Sequence, residues 1–120
     1  MTTGVVPSDA VAFYAADIGE TRLIAAGAAS VAVAGRLPPG RWLVQVKPSD
    51  ATAITWLQVG KYNASTALVA TAGVGPKKIP VGPAILALEF VVRENYNDAL
   101  AAICSAGTAD VWLTLVSRRA

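Results

Sequence analysis

The chain has 120 residues, a net charge of +2, 54% hydrophobic residues and 15% charged residues. This length suits one domain that buries a core without disulfides or metal ions, but the charged fraction is far below the roughly 25% of ordinary soluble domains. The longest weakly polar run, residues 23–35, is rich in alanine and is shorter than the roughly 20 strongly apolar residues of a membrane-spanning helix. We therefore expect no membrane partner and predict a single domain, residues 1–120, whose apolar excess is covered by another protein chain.

The N-terminal segment lacks the positively charged start of a secretory signal peptide, because the first basic residue is Arg22. We expect residues 1–10 to form a flexible or partner-contacting arm. The hydrophobic pattern then predicts short, weak strands over 11–16, 21–25 and 30–34.

Two clearer strands are predicted over 41–47 and 54–60. In the first, Trp42 shares one face with Val44 and Val46 while the other face is mostly polar, which is typical of a strand with one buried face. In the second, both faces carry apolar residues, so both are expected to be partly covered. Turn-forming residues between the two strands predict a hairpin with a loop of about six residues.

The second half of the chain continues the β pattern. A weak strand is predicted over 67–71 and strong strands over 84–93 and 109–118, separated by turns rich in glycine and proline. The exception lies near 97–105, where an Asn-Asp pair, an alanine-rich run and a following glycine predict one short helix. The predicted fold class is all-β: a β-sandwich or jelly-roll-like single domain of about seven to eight short strands, with that one helix.

The sequence carries no catalytic or metal-binding signature. Histidine is absent and Cys104 is the single cysteine, which disfavours zinc and copper sites and excludes a disulfide within the chain. The eight acidic residues lie mostly at predicted turns and strand ends, and no glycine-rich stretch has the residues of a phosphate-binding loop. We expect no enzyme activity, no cofactor and no metal, with Cys104 as a buried hydrophobic residue.

Basic residues are scattered along the chain except for two pairs, 77–78 and 118–119. Nucleic-acid-binding domains usually concentrate basic residues on one face or helix. The two pairs are therefore interpreted as a solvated loop and tail, and no specific nucleic-acid partner is expected.

The aromatic residues admit two interpretations. Six tryptophan and tyrosine side chains could stack on sugar rings, as in a carbohydrate-binding module, or could fill the core and subunit contacts. Trp42 is assigned to the core by its apolar neighbours. The predicted interface consists of Trp112, Thr114 on the same face, and Trp56 on the strand with two partly covered faces.

Four features of the sequence point the same way: the N-terminal segment, the richness in alanine, valine and glycine, the run "GRWLVQVKPSDATAITWLQVG" at 40–60, and the ending "GTADVWLTLVSRR" at 107–119. Together they resemble small virion proteins of tailed bacteriophages, most closely the head decoration or cement proteins. The resemblance covers most of the chain and lies in its general sequence character. It implies a jelly-roll or β-tulip fold and an often trimeric protein that bridges capsid subunits on the outer capsid surface. It offers no catalytic residues to carry over.

We therefore expect a non-enzymatic structural protein that is made in the host cytoplasm and located in the virion. It would form a homo-oligomer, with a trimer favoured, and bind the major capsid protein or other virion proteins. A phage neck or tail component would have the same sequence features. A carbohydrate- or ligand-binding β module is the alternative from a different functional class.

Overall fold

The computed structural model describes residues 20–82 and 86–118, which contain eight β-strands and no helix. The strands are β1 (Thr21–Ala26), β2 (Val31–Ala32), β3 (Gly40–Pro48), β4 (Thr55–Gly60), β5 (Lys78–Val81), β6 (Ala87–Val92), β7 (Ala99–Cys104) and β8 (Ala109–Ser117). They form two four-stranded antiparallel sheets, which confirms the predicted all-β fold class. The expected arm at 1–10 and strand at 11–16 lie outside the described residues.

The strand order is that of a jelly roll. The front sheet has the order β1-β8-β3-β6 and the back sheet the order β2-β7-β4-β5. The pairs are nested, with β1 beside β8, β2 beside β7, β3 beside β6 and β4 beside β5. A long hairpin rolled into two facing sheets has this arrangement, and the eight strands agree with the seven to eight predicted.

The core lies between the two sheets, and the alternation of β3 and β8 supplies much of it. Their fully buried inward side chains are Trp42, Val44, Val111, Leu113 and Leu115. The Trp42 indole Nε1 donates a hydrogen bond to the Pro38 carbonyl oxygen at 3.0 Å, which satisfies the polar atom of an otherwise apolar side chain. The predicted core position of Trp42 is confirmed.

The predicted helix near 97–105 is wrong, because Ala99–Cys104 form β7. This strand lies between β2 and β4, and five of its six residues are buried. A strand covered on both faces shows no polar–apolar alternation in its sequence. Pairing with two neighbours also overrides the helix propensity of its alanines. Asn97, with φ of 53°, lies in the turn before the strand rather than capping a helix.

The predicted hairpin between the third and fourth strands is also wrong. β3 pairs with β6 and β8 in the front sheet, whereas β4 pairs with β5 and β7 in the back sheet. Their connection crosses between the sheets beside the β7–β8 connection. Ser49 N donates to Thr108 O at 2.8 Å, and Ser105 N donates to Ile54 O at 2.9 Å. Turn-forming residues predict a change of direction but not the sheet that the chain enters next.

Two weak strand predictions are corrected. The strand predicted over 67–71 is wrong, because this stretch lies in an irregular connection, 61–77, between β4 and β5. The strand predicted over 30–34 is reduced to Val31–Ala32. Alternation of small and apolar residues predicts that a segment is partly buried. Ala70 is buried, but it belongs to no strand of either sheet.

Candidate interaction surfaces

The outward surface of the front sheet, called the front face below, exposes large apolar side chains. Leu23 is 46% exposed, Trp112 40% and Val91 39%. The alternation that buries one side of each strand places these residues on the other side. The residues of the front face are Thr21, Leu23, Ala25, Arg41, Leu43, Gln45, Lys47, Ala87, Glu89, Val91, Asp110, Trp112 and Thr114.

Cross-strand pairing makes the apolar part of the front face continuous. Trp112 on β8 lies directly opposite Leu23 on β1, and Thr114 lies directly opposite Leu43 on β3. Side chains in such positions are about 5 Å apart at Cβ, and diagonal neighbours about 7–8 Å. The indole and the two leucines therefore form one patch across three strands.

Charged residues of both signs lie beside this patch. Arg41 Nη2 is 3.0 Å from Glu89 Oε1, and Lys47 lies directly opposite Asp110. The exposed Arg41–Glu89 ion pair adds little stability to a monomer. Charged residues of both signs on this face can orient an approaching partner and select against wrong ones.

The outward surface of the back sheet is covered by the connection 61–77, called the covering loop below. Ala99 and Ala101 lie on the outward side of β7, yet they are only 5% and 0% exposed. A Cβ atom on Gly60 would lie 2.8 Å from Leu68 Cδ1, so the absence of a side chain at Gly60 lets the loop approach closely. The two sheets thus differ, because the covering loop shields one while the other keeps exposed apolar residues.

The structure brings together two of the three predicted interface residues. Trp112 and Thr114 share the front face on β8, with Trp112 exposed and Thr114 half-buried. Trp56 is half-buried on the outer side of the back sheet, where it pairs with Pro80 and Ile103. Trp56 therefore cannot belong to the same continuous surface as Trp112.

Sequence reasoning missed Leu23 and Val91 as surface residues. The alternation of β3 placed Leu43 on its mostly polar face, and this face is the outward one. The corresponding residues on β1 and β6 become visible only when the strand order is known, because sequence spacing does not say which strands are neighbours.

A second surface feature is a cavity of about 470 Å³ at the sandwich edge where β5 and β6 end their sheets. It is called the basic cavity below, and its lining residues are Val59, Lys77, Ile79, Phe90, Val91, Arg93, Tyr96 and Asn97. Lys77 Nζ is 4.8 Å from the centroid of the Tyr96 ring and donates to Asn97 Oδ1 at 3.1 Å. The prediction of a solvated loop at 77–78 is wrong for Lys78, which is half-buried at the start of β5, and it did not include this cavity.

Asp98 is a buried carboxylate with a structural role. Its Oδ1 accepts a hydrogen bond from Tyr62 N at 2.7 Å, and its Oδ2 is 3.4 Å from Arg36 Nε without hydrogen-bond geometry. Its backbone oxygen accepts a hydrogen bond from Leu37 N at 2.9 Å. Asp98 therefore joins the start of β7 to the covering loop and to the chain that leads into β3.

Asp50 lies in the exposed loop between β3 and β4. Hydrogen bonds to its carboxylate from the backbone N–H of Thr52 and then from the Thr52 hydroxyl hold the pKa of Asp50 below its usual value of 3.8. Hydrogen bonds to the charged form favour that form. This is the geometry of a local turn and provides no catalytic base.

The described residues contain no cluster of histidine, cysteine or carboxylate side chains that could hold a metal ion. Cys104 is buried at 4% exposure, and its Sγ donates to the Ala106 carbonyl oxygen at 3.0 Å. Burial of Cys104 as a small apolar side chain is confirmed. In the same part of the chain, no helix is long and apolar enough to cross a membrane.

Comparisons of the chain with protein-family models, with curated proteins and with solved structures found no match.

Proposed function

We propose that this chain is a non-enzymatic structural protein that self-associates through the front face and decorates a phage head. The observation that carries the proposal is the pair Leu23 and Trp112, which lie directly opposite each other and are 46% and 40% exposed. Apolar patches of this kind mark interaction sites on soluble proteins. Tryptophan is also among the residues that most often dominate interface binding energy.

Self-association fits both the shape and the charge of this face. A sheet face is a broad surface that packs against a second layer about 10 Å away. A second copy of the chain supplies the same apolar patch. The charged residues of the front face have both signs, for example Arg41 and Asp110, so those of one copy can pair with those of another. We favour a trimer, as the resemblance to head decoration proteins implies.

The capsid role is supported by that resemblance and by the topology. Viral capsid domains and lectins are among the proteins that use jelly rolls. A decoration protein that binds only the assembled shell stabilises the shell by mass action. We therefore propose the major capsid protein or another virion protein as partner, and the virion as location.

The test of self-association is sedimentation velocity over a range of concentrations, with two matched variants. Leu23→Glu places a charge on the front face directly opposite Trp112, whereas Val74→Glu makes the same kind of change at a residue of the covering loop that is 94% exposed. We expect the unmodified chain and Val74→Glu to form the same oligomer and Leu23→Glu to remain monomeric. A monomeric unmodified chain, or equal behaviour of the two variants, would contradict the proposal.

The capsid partner is tested separately by co-sedimentation with assembled shells of a phage major capsid protein. The expected result is saturable binding that raises the melting temperature of the shells. Oligomers that leave the shells unbound would favour a neck or tail component.

A ligand-binding module is the second candidate function, and the basic cavity favours it. The cavity has a volume of about 470 Å³ and carries the half-exposed Tyr96 beside two cations. Small-molecule sites usually have this size and this mixture of apolar walls and a few polar groups. Ligand binding and assembly through the front face are compatible, because most residues of the two surfaces differ.

A further inference from the structure

The basic cavity combines an apolar floor with a cationic rim. Val59, Ile79 and Phe90 supply the apolar side chains, and they come from strands of both sheets. Lys77 and Arg93 supply the cations, one from the end of the covering loop and one from the turn after β6. A ligand that enters between β5 and β6 therefore meets apolar surface inside and positive charge at the entrance.

None of the described residues that line the cavity is a carboxylate that could neutralise these cations. Lys77 contacts the neutral groups of Tyr96 and Asn97, and Arg93 makes no ion pair with any described residue. Glu94 is exposed beside Arg93 in sequence but does not line the cavity. Two cations without a counter-charge beside a low-dielectric wall create a positive potential that attracts anions.

The backbone at the rim has an uncommon conformation. Lys77, Asn95 and Asn97 have φ values of 58°, 59° and 53°, and they are the non-glycine residues with positive φ in the described chain. Asparagine tolerates this region, whereas a lysine there is uncommon. Backbone hydrogen bonds of 2.9 and 3.1 Å between Arg93 and Tyr96 fix the adjacent turn. Local strain of this kind concentrates at binding sites, where it holds side chains in place for a ligand.

We propose that the basic cavity binds a small amphiphilic carboxylate. Its apolar body packs on Ile79 and Phe90, and its carboxylate lies between Lys77 and Arg93. The volume of about 470 Å³ lies within the range of small-molecule sites. A neutral sugar would use neither the apolar floor nor the two cations, so a compound that carries both an apolar body and a negative charge is the complementary ligand.

The test uses 4-phenylbutyrate as probe and the uncharged 4-phenylbutanol as its matched analogue. Each is titrated into the full chain while amide chemical shifts are followed by NMR. We expect 4-phenylbutyrate to shift the amides of Lys77, Arg93, Tyr96 and Asn97 and to bind at least fivefold more tightly than the alcohol. This difference corresponds to the loss of charge-assisted hydrogen bonds at the rim.

Two variants test the cations, and one controls for net charge. Arg93→Gln and Lys77→Asn each remove one rim cation, and asparagine is compatible with the positive φ at position 77. Lys47→Gln makes the same charge change on the front face. We expect both rim variants to weaken 4-phenylbutyrate binding roughly threefold or more and Lys47→Gln to leave it unchanged.

Three results would overturn the proposal: no saturable shifts in the cavity, equal affinity for the acid and the alcohol, or an equal loss in Lys47→Gln and Arg93→Gln. If Lys77→Asn disturbs the covering loop, Arg93→Gln alone still tests the proposal. Because Val91 belongs to both the cavity and the front face, the titration is read at Tyr96 and repeated with Leu23→Glu, which separates ligand binding from self-association.

Discussion

Trp42 and Trp112 have opposite environments although both lie on strands of the front sheet. Trp42 is fully buried and hydrogen-bonded through its indole nitrogen, whereas Trp112 is 40% exposed. Successive side chains of a strand point to opposite faces of the sheet. This alternation places Trp42 on the inward face and Trp112 on the outward face. The same residue type therefore belongs to the core at one position and to a candidate interface at the other.

At Asp98, burial makes the charge important for stability. We expect Asp98→Ala to lower the free energy of unfolding by about 2 kcal/mol, because it leaves Tyr62 N–H without its acceptor. Arg36 is more than half exposed, so the loss of its counter-ion adds little. Asp98→Asn keeps the shape and should cost less. Urea denaturation measures both changes.

The matched control is Asp110→Ala, which removes an exposed carboxylate from the front face. Its expected effect is within about 0.5 kcal/mol. An equal loss of stability in Asp98→Ala and Asp110→Ala would show that the buried contacts of Asp98 contribute nothing.

At Asp50, the folded chain lowers a pKa at a fully exposed carboxyl group. Since the folded pKa lies below the usual value of 3.8, the Thr52 hydrogen bonds contribute stability that is present above about pH 3.8 and is lost as the pH falls through the folded pKa. Thr52→Ala removes the hydroxyl but keeps the backbone donor. We therefore expect it to raise the Asp50 pKa only partway towards 3.8.

An NMR titration of the Asp50 carboxyl carbon measures this pKa directly. Thr66→Ala, an exposed change beyond the other end of β4, serves as control. The explanation fails if Asp50 titrates at 3.8 in the unmodified chain or if Thr52→Ala leaves its pKa unchanged.

At the scale of elements, how clearly a strand shows in the sequence depends on how its two faces are covered. β3 and β8 have one side in the core and one side outward, so their alternation located them within one residue at each end. β7 is covered on both sides, by the core and by the covering loop, and was mistaken for a helix. Alternation reports a difference between two faces, and β7 has almost none.

The start of β3 depends on close backbone approach at Gly40. Its φ is 148°, and a Cβ atom there would overlap the Ser117 carbonyl oxygen and lie 2.7 Å from Leu115 Cδ1. The register of β3 against β8 shifts at the next residue, which marks a bulge. We expect Gly40→Ala to lower the free energy of unfolding by about 2–4 kcal/mol, because both the φ angle and the contacts oppose a side chain.

Gly27→Ala is the matched control, because a Cβ atom at Gly27 would meet nothing within 4 Å. Thermal unfolding of the two variants should show a large decrease in melting temperature for Gly40→Ala and little change for Gly27→Ala. Equal melting temperatures would mean that the start of β3 relaxes around the added methyl group.

At the scale of the whole molecule, the covering loop shields one sheet, and under the proposed self-association a second copy of the chain would shield the other. If self-association buries the front face, acrylamide should quench Trp112 fluorescence at low protein concentration and much less once the oligomer forms. Trp42 is fully buried and Trp56 half-buried in the single chain, so Trp112 is the most accessible of the three.

Two variants assign the quenching signal. Trp112→Phe should remove most of the fluorescence that acrylamide can quench. Trp56→Phe should still show quenching that decreases as the protein concentration rises. Quenching that is independent of concentration would argue against the front face as the interface and would leave Trp112 available as a sugar-stacking platform.

The candidate surfaces could be predicted only in part. The outward position of Trp112 and Thr114 follows from the alternation of β8, and this position agrees with the prediction. Their neighbour Leu23 is about ninety positions away in sequence and becomes adjacent only through the β1–β8 pairing. The basic cavity likewise joins Lys77 to Arg93 across two connections that carry no periodic signal.

The sequence by itself determined the all-β class, the burial of Trp42 and Cys104, and the inward side of each strand with one covered face. Local alternation and composition contain this information, because each residue's side of a strand is set by its immediate neighbours. Only the tertiary structure decided the jelly-roll strand order, the strand at 99–104, the separation of β3 from β4, and the meeting of Lys77 with Arg93. These features depend on which distant segments pair, and pairing is selected by the packing of the whole chain rather than by any local run of residues.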